Sequence, residues 1–361
     1  MNENNYCVIM AGGVGSRFWP ISRTEKPKQF LDILGTGKTL LRQTFDRFVR
    51  VCSTENIYIV TNAEYTEIVK EILPEISYNQ ILSEPMRRNT APCIAYANLK
   101  IREKNKNAKI VVAPSDHLIL NEDKFIDVIK ESFDFVEKND GLLTLGITPH
   151  RPETGYGYIQ IDDAYEGESS IQKVKTFTEK PDRQTAEAFL KSGEFFWNSG
   201  IFIWSLASID KAFDEFLPDI TKLFSQNIDI STPEKEFEFI KETYSECKNV
   251  SIDKGIMEHA ENVFVYCTEF GWSDLGTWDS LYEESEKDEN GNAILGENIL
   301  TYETTNTVIN VPKEKLVVVQ GMDDYIIAES DDILLICKKN DEKKIRQFVN
   351  DVKLLKGDKF V

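Results

Sequence analysis

Short apolar runs alternate with helix-spaced apolar positions through the first half of the chain. Tyr6–Met10, Asn56–Val60, Lys109–Ala113 and Leu142–Ile147 read as buried strands. Between them, apolar residues at 40, 41, 45, 48 and 49 mark a helix over Thr39–Val51. Thr66–Leu73, Ile94–Ile101 and Phe125–Val136 predict further helices, the second opened by Thr90-Ala-Pro92, a polar cap with an early proline. This alternation predicts an α/β fold with a Rossmann-like, mostly parallel sheet flanked by helices on both faces. After Trp278 the texture changes. An acidic, loop-like "EESEKDENGN" at 283–292 gives way to β-rich segments at 299–302, 307–311, 315–319, 325–328 and 333–337. An amphipathic helix carrying Ile345, Phe348, Val349 and Val352 closes the chain. The predicted division is therefore residues 1–285 and a small C-terminal β domain over 286–361 with a terminal helix.

With 361 residues and 41% apolar content, the chain suits one large domain plus a smaller one. No run approaches the roughly 18 apolar residues of a membrane span, so no membrane partner is expected. The polar start Met1–Tyr6 leads straight into a strand, which argues against a signal peptide. Six scattered cysteines without a CxxC pair fit reduced thiols and a cytoplasmic location rather than a metal cluster. A net charge of −19 disfavours nucleic acid as a partner. Any anionic ligand must then meet a local concentration of positive charge.

Residues 11–30, "AGGVGSRFWPISRTEKPKQF", supply one, with Arg17, Arg23, Lys26 and Lys28. The stretch fits neither common phosphate-loop template: Phe18 stands where a dinucleotide fold needs its third glycine, and a P-loop tried a little later, at Gly37-Lys38-Thr39, needs a glycine where Asp32 stands. Glycines at 12, 13 and 15 still let backbone N–H groups, with that of Ala11, approach an anion. Arg17 can fork onto phosphate oxygens and Lys28 is a mobile point charge. Glycines alone are equally a tight turn. The combined pattern G-G-x-G-x-R-x-x-P-x-S-x-x-x-P-K-Q is more specific.

Asp116, following the strand Lys109–Ala113 in "APSDH", and Asp274, in "GWSDLGTW", are each by themselves ordinary turn or cap residues. Glu179-Lys180 in "FTEKP" and Asn198 in "WNSGIF" lie about 20 residues apart. A carboxylate and an amide there can bond sugar hydroxyls, and a lysine can reach a sugar phosphate; the bland alternatives are an exposed turn and a helix start. Gly157, after Tyr156 in "TGYGYIQ", is by itself a hairpin glycine. His117 reads as structural or as a support to the adjoining Asp116, and His150 and His259 carry no assignment.

Taken together and in this order, these motifs resemble the sugar-1-phosphate nucleotidyltransferases over roughly residues 6–280. "SEPMRRNTAP" at 83–92, with "APSDH", is similar to the mannose-1-phosphate guanylyltransferases among them. The resemblance implies a GTP-binding loop with Arg17 and Lys28 on the phosphates. It implies Mg²⁺ as cofactor on Asp116 and Asp274, 158 positions apart, a pairing that suits an oxygen-seeking ion. It places Glu84, Arg88, Asn89 and Thr90 on the nucleotide, and Gly157, Glu179, Lys180 and Asn198 on the sugar phosphate. A guanine ring needs acceptors, and Glu84 or backbone carbonyls could provide them. The activity implied is GTP plus mannose 1-phosphate giving GDP-mannose and diphosphate, with residues 1–285 as the catalytic domain. A related hexose or heptose 1-phosphate as substrate, and a noncatalytic sugar-nucleotide sensor, stay open as alternatives. The family's short tails imply a partial left-handed β-helix and a homodimer. The tail here lacks the histidine-rich pattern of a phosphomannose isomerase domain, so that second activity is not expected.

Overall fold

A computed structural model describes residues 2–162, 170–226 and 228–361. The chain forms two compact units. One comprises residues 1–12, 44–115 and 119–272; the other comprises 13–43, 116–118 and 273–361. This division does not fall at residue 285. The cause is apolar packing: Phe18, Leu118, Leu275 and Trp278 share one buried cluster with Val308, Ile326 and Ile345 of the tail.

The larger unit is built on a nine-stranded sheet. Its strands are β1 (Asn5–Met10), β2 (Ile57–Asn62), β3 (Ile81–Glu84), β4 (Lys109–Pro114), β5 (Leu142–Ile147), β6 (Tyr158–Ile161), β7 (Ile171–Thr178), β8 (Phe195–Ser205) and β9 (Val263–Thr268). The spatial order is β3-β2-β1-β4-β8-β5-β9-β7-β6. The first four strands pair in parallel, as do β5 and β9. The long strand β8 runs antiparallel between β4 and β5, so the sheet is mixed. Continuous apolar runs suit strands covered on both faces: Cys7, Val8 and Ile9 of β1 and Val111 and Val112 of β4 are fully buried. Helices Thr90–Lys104 and Glu122–Lys138 match the helical spacing read from the chain. The carboxyl ends of β1 and β4 run into the glycine loop and Ser115-Asp116, where ligands of such sheets bind.

The smaller unit holds the tail. Strands β10 (Ala293–Leu295), β11 (Ile299–Tyr302), β12 (Val308–Asn310), β13 (Val317–Gln320), β14 (Tyr325–Ser330) and β15 (Ile333–Lys338) follow one another closely. β10, β12 and β14 stack in parallel at offsets of 15 and 18 residues, and β11 pairs with β13 at 18. One chain coil per rung is the geometry of a β-solenoid, ended by antiparallel β15. The helix Ile345–Lys356 then packs Phe348, Val349 and Val352 against the cluster of Phe18 and Trp19.

Candidate active site

Each unit carries some of the residues singled out above. In the smaller unit a cavity of about 300 Å³ is lined by Val14–Phe18, Lys28, Asp116, His117, Asp274, Gly276 and Arg346. The glycine loop reaches it through Gly15, which sits at φ +59°. A Cβ there would stand 2.7 Å from Lys28 Cβ and 2.8 Å from Ser22 Oγ, the hydroxyl that donates to Val14 O at 2.9 Å. Gly15→Ala is therefore expected to cost about 3 kcal/mol, combining left-handed strain with overpacking. Urea unfolding beside the parent protein measures this, and a loss under about 1 kcal/mol would show that the loop yields.

Lys28 is buried, 4% exposed. Its ammonium donates to Asp274 O at 2.8 Å and Leu275 O at 2.9 Å, and lies 2.9 Å from Asp116 Oδ2. An ammonium has three N–H groups, and each has a protein acceptor here. Burial opposes ionisation of Asp116, but the charges of Lys28 and His117 and the Lys28 hydrogen bond hold its pKa below the ordinary carboxylate value. Asp274 Oδ1 accepts from Gly276 N at 2.8 Å, within a turn that places Leu275 at φ +42°. A Cβ on Gly276 would lie 2.4 Å from Asp274 Oδ2, so the backbone can wrap the carboxylate only with glycine there. Arg17, half-buried, makes no hydrogen bond or ion pair among the described residues.

The donor set fits a hard divalent cation. Two carboxylates open on one cavity, with no thiol, and such ions take oxygen ligands with substrate phosphates and water completing the shell. Among the described residues no group of three or more His, Cys, Asp or Glu side chains is placed to cage a metal.

In the larger unit, Ala11 N donates to Val60 O at 2.7 Å, and a Cβ on Gly12 would lie 3.4 Å from Glu84 Oε2. Glu84 is buried at the end of β3 and accepts from the Tyr244 hydroxyl at 2.9 Å. Burial pushes its pKa up to about 7, against the Tyr244 hydrogen bond and the charge of Arg87. Arg88 donates to Tyr244 O at 2.9 Å and Ser245 O at 3.2 Å. Asn89 Oδ1 accepts from Thr90 N at 3.0 Å, and Thr90 Oγ1 accepts from Ile252 N at 2.8 Å. This stretch thus staples the start of its helix to segment 244–252, which carries the Glu84 partner.

Gly157, Glu179, Lys180 and Asn198 come together. A Cβ on Gly157 would lie 2.8 Å from Glu179 Oε2 and 3.2 Å from Asn198 Cβ, so only glycine admits both. Lys180 is ion-paired with Glu179 Oε1. Asn198 lies within β8 rather than at a helix start. Its Oδ1 accepts from Thr144 Oγ1 at 2.9 Å and Gly200 N at 3.2 Å, and its Nδ2 donates to Asp253 Oδ1 at 2.9 Å. Asp253 escaped the sequence reading. It sits in a π-helical turn, Asp253–Met257, a distortion often found at functional sites. Its pKa is pushed up to about 6, first by burial and then by the charge of Glu179. An acid set among Ile252, Gly255, Ile256 and Met257 was the available signal.

The nucleotidyl transferase family model matches residues 6–291. The mannose-1-phosphate guanylyltransferase of Salmonella montevideo is 36% identical over 96% of this chain and 74% of its own length. A mannose-1-phosphate guanylyltransferase of Escherichia coli is 34% identical, with 96% of this chain and 75% of that protein covered. The crystal structure of mannose-1-phosphate geranyltransferase from Thermus thermophilus superposes with a TM-score of 0.87 at 27% identity, covering 97% of this chain and 99% of that one. The chain belongs to the nucleotidyl transferase family, on its mannose-1-phosphate guanylyltransferase branch.

Proposed function

We propose that this chain transfers GMP from GTP to α-D-mannose 1-phosphate, yielding GDP-mannose and diphosphate. The observation that carries the reading is the single cavity on which Arg17, Lys28, Asp116 and Asp274 converge, in a chain over one-third identical to a named guanylyltransferase. A sugar phosphate oxygen attacks the α-phosphorus of GTP in line. The bond from that phosphorus to the β-bridging oxygen breaks, and its electron pair leaves with diphosphate. The attacking phosphate is already ionised at neutral pH, so no general base is required. Catalysis then rests on positioning and on neutralising charge. Asp116 and Asp274 hold a divalent ion, in our reading Mg²⁺, which when bound offsets repulsion between the two phosphates that meet.

The other roles follow from what each group can still do. The N–H groups of Gly12–Gly15 and the Arg17 guanidinium take the triphosphate, whereas the Ala11 N–H is already given to Val60 O and only leads the chain into the loop. Glu84, oriented by Tyr244, accepts from the guanine edge, with Arg88, Asn89 and Thr90 holding the backbone around it. Glu179 accepts from mannose hydroxyls and Lys180 meets the sugar phosphate. Asn198 has committed its amide to Asp253 and Thr144, so it acts by aiming Asp253, a second acceptor, at the sugar.

We also read the protein as a cytoplasmic homodimer. All six cysteines are unpaired, and among the described residues no helix is long and apolar enough to cross a membrane. Leu300, Tyr302 and Val318 stand exposed on the solenoid, an apolar face that a second copy would cover.

Diphosphate release across a panel of nucleotides and sugar 1-phosphates tests the activity. GTP with mannose 1-phosphate is expected to give the highest kcat/KM, and preference for another pair would sink the assignment. Glu179→Gln should raise the KM for mannose 1-phosphate about 10–100-fold, the scale of one charge-assisted hydrogen bond, and leave GTP affinity nearly unchanged. Equal losses for both substrates by calorimetry would make Glu179 a structural residue.

A further inference from the structure

Arg346, in the terminal helix, lines the same cavity as Arg17, Asp116 and Asp274. Nothing in its sequence surroundings marked it. It is exposed and makes no hydrogen bond or ion pair among the described residues. Its position is also electrostatically unrewarded, because the first turn of Ile345–Lys356 is the positive end of the helix dipole. A guanidinium placed there stabilises neither the helix nor a partner in the protein. It is held in place nonetheless. Phe348, Val349 and Val352 pack with Phe18 and Trp19, and Trp19 Nε1 donates to Phe360 O at 2.8 Å. On the far side of the loop, Arg23 donates to Ser330 O at 2.8 Å and Asp332 Oδ1 at 3.2 Å. The tail is therefore fastened to the glycine loop on both flanks.

We infer that Arg346 binds the β- and γ-phosphates of the nucleotide, and hence the departing diphosphate, opposite Arg17. The charge inventory of the cavity supports this. Lys28 and Asp116 neutralise one another, which leaves two guanidiniums, with the His117 imidazole beside them, against the single remaining carboxylate of Asp274. In a chain of net charge −19 such a local cationic excess is a site for an anion. Two planar forks suit a polyphosphate, since each can grip a pair of oxygens. The glycine loop lines this cavity over Val14–Phe18, so the anion in question is the one that the loop holds.

The assignment rests on the transferase reading, and the test separates the two. Inorganic diphosphate with Mg²⁺ is titrated calorimetrically into the parent protein, Arg346→Ala and Arg346→Lys, with mannose 1-phosphate as a second ligand and GDP-mannose formation measured on the parent. Arg346→Ala should weaken diphosphate about 10–100-fold, Arg346→Lys by less, and mannose 1-phosphate not at all. Diphosphate affinity within twofold of the parent, in a variant with unchanged melting temperature, would overturn the inference while GDP-mannose formation left the function standing. Equal weakening of both ligands would overturn it too, by making Arg346 merely structural. Loss of diphosphate binding alone, in a parent that makes no GDP-mannose, would uphold Arg346 and sink the transferase reading instead.

Discussion

Asp274→Asn is expected to fold normally and to lose metal-dependent turnover almost completely. The fold should survive because the contact that shapes this turn is Gly276 N donating to Asp274 Oδ1, and an amide oxygen accepts that bond equally well. The Lys28 ammonium bonds the backbone carbonyl of Asp274 at 2.8 Å, a contact that the substitution leaves in place. What disappears is one of two negative oxygen ligands available in the cavity. An ion contact there contributes several kcal/mol to charge stabilisation, so kcat should fall by about 10³-fold. Turnover measured against Mg²⁺ concentration, beside the melting temperature, checks this. Near-parent kcat at saturating Mg²⁺ would remove Asp274 from the metal site.

The sequence was most informative where a site is contiguous. The glycine loop declares itself because Gly12, Gly13, Gly15, Arg17 and Lys28 fall within 20 residues, and their conformational demands are local. Strand and helix alternation was legible for the same reason, since buried strands such as β1 and β4 carry unbroken apolar runs at Tyr6–Met10 and Ile110–Ala113. Groups whose role depends on distant partners were not. Asp253 becomes noteworthy only when Asn198, 55 residues earlier, donates to it. Arg346 lines the cavity of Arg17, Asp116 and Asp274 because Phe348, Val349 and Val352 dock on the cluster that holds Phe18 and Trp19, more than 300 positions away. The same cluster draws residues 13–43 and 116–118 into one unit with the tail, which no composition shift could announce. The linear pattern left Asn198 between a sugar contact and the bland alternative of a helix start, because a buried strand interrupted by Asn-Ser-Gly looks like a cap; the residue lies within β8.

Lys28 is where sequence and structure part most instructively, and it makes the sharpest test. A mobile point charge reaching for phosphate would stand partly exposed with donors to spare. Instead the side chain is buried and its donors meet Asp116 Oδ2, Asp274 O and Leu275 O within 2.9 Å. Its first task is then to fix both carboxylate-bearing segments, and its charge can act on an anion in the cavity only through space. Lys28→Met keeps the volume and apolar stem but removes the ammonium, leaving two carbonyls and a carboxylate without their donor. Each lost partner costs about 1–3 kcal/mol, partly relieved where Asp116 meets water, so the protein free of ligand should lose about 2–5 kcal/mol of stability. With both carboxylates set adrift, kcat should fall by about 10²–10³-fold, the scale of losing a preorganised charge-stabilising donor. GTP affinity should weaken much less, since Arg17 and the loop N–H groups remain. Chemical denaturation of the ligand-free variant, paired with steady-state kinetics and direct GTP titration, separates the two pictures. A lysine that merely binds phosphate would leave ligand-free stability unchanged and raise the KM for GTP with kcat intact. That result would unseat Lys28 as the pin of the metal-binding carboxylates.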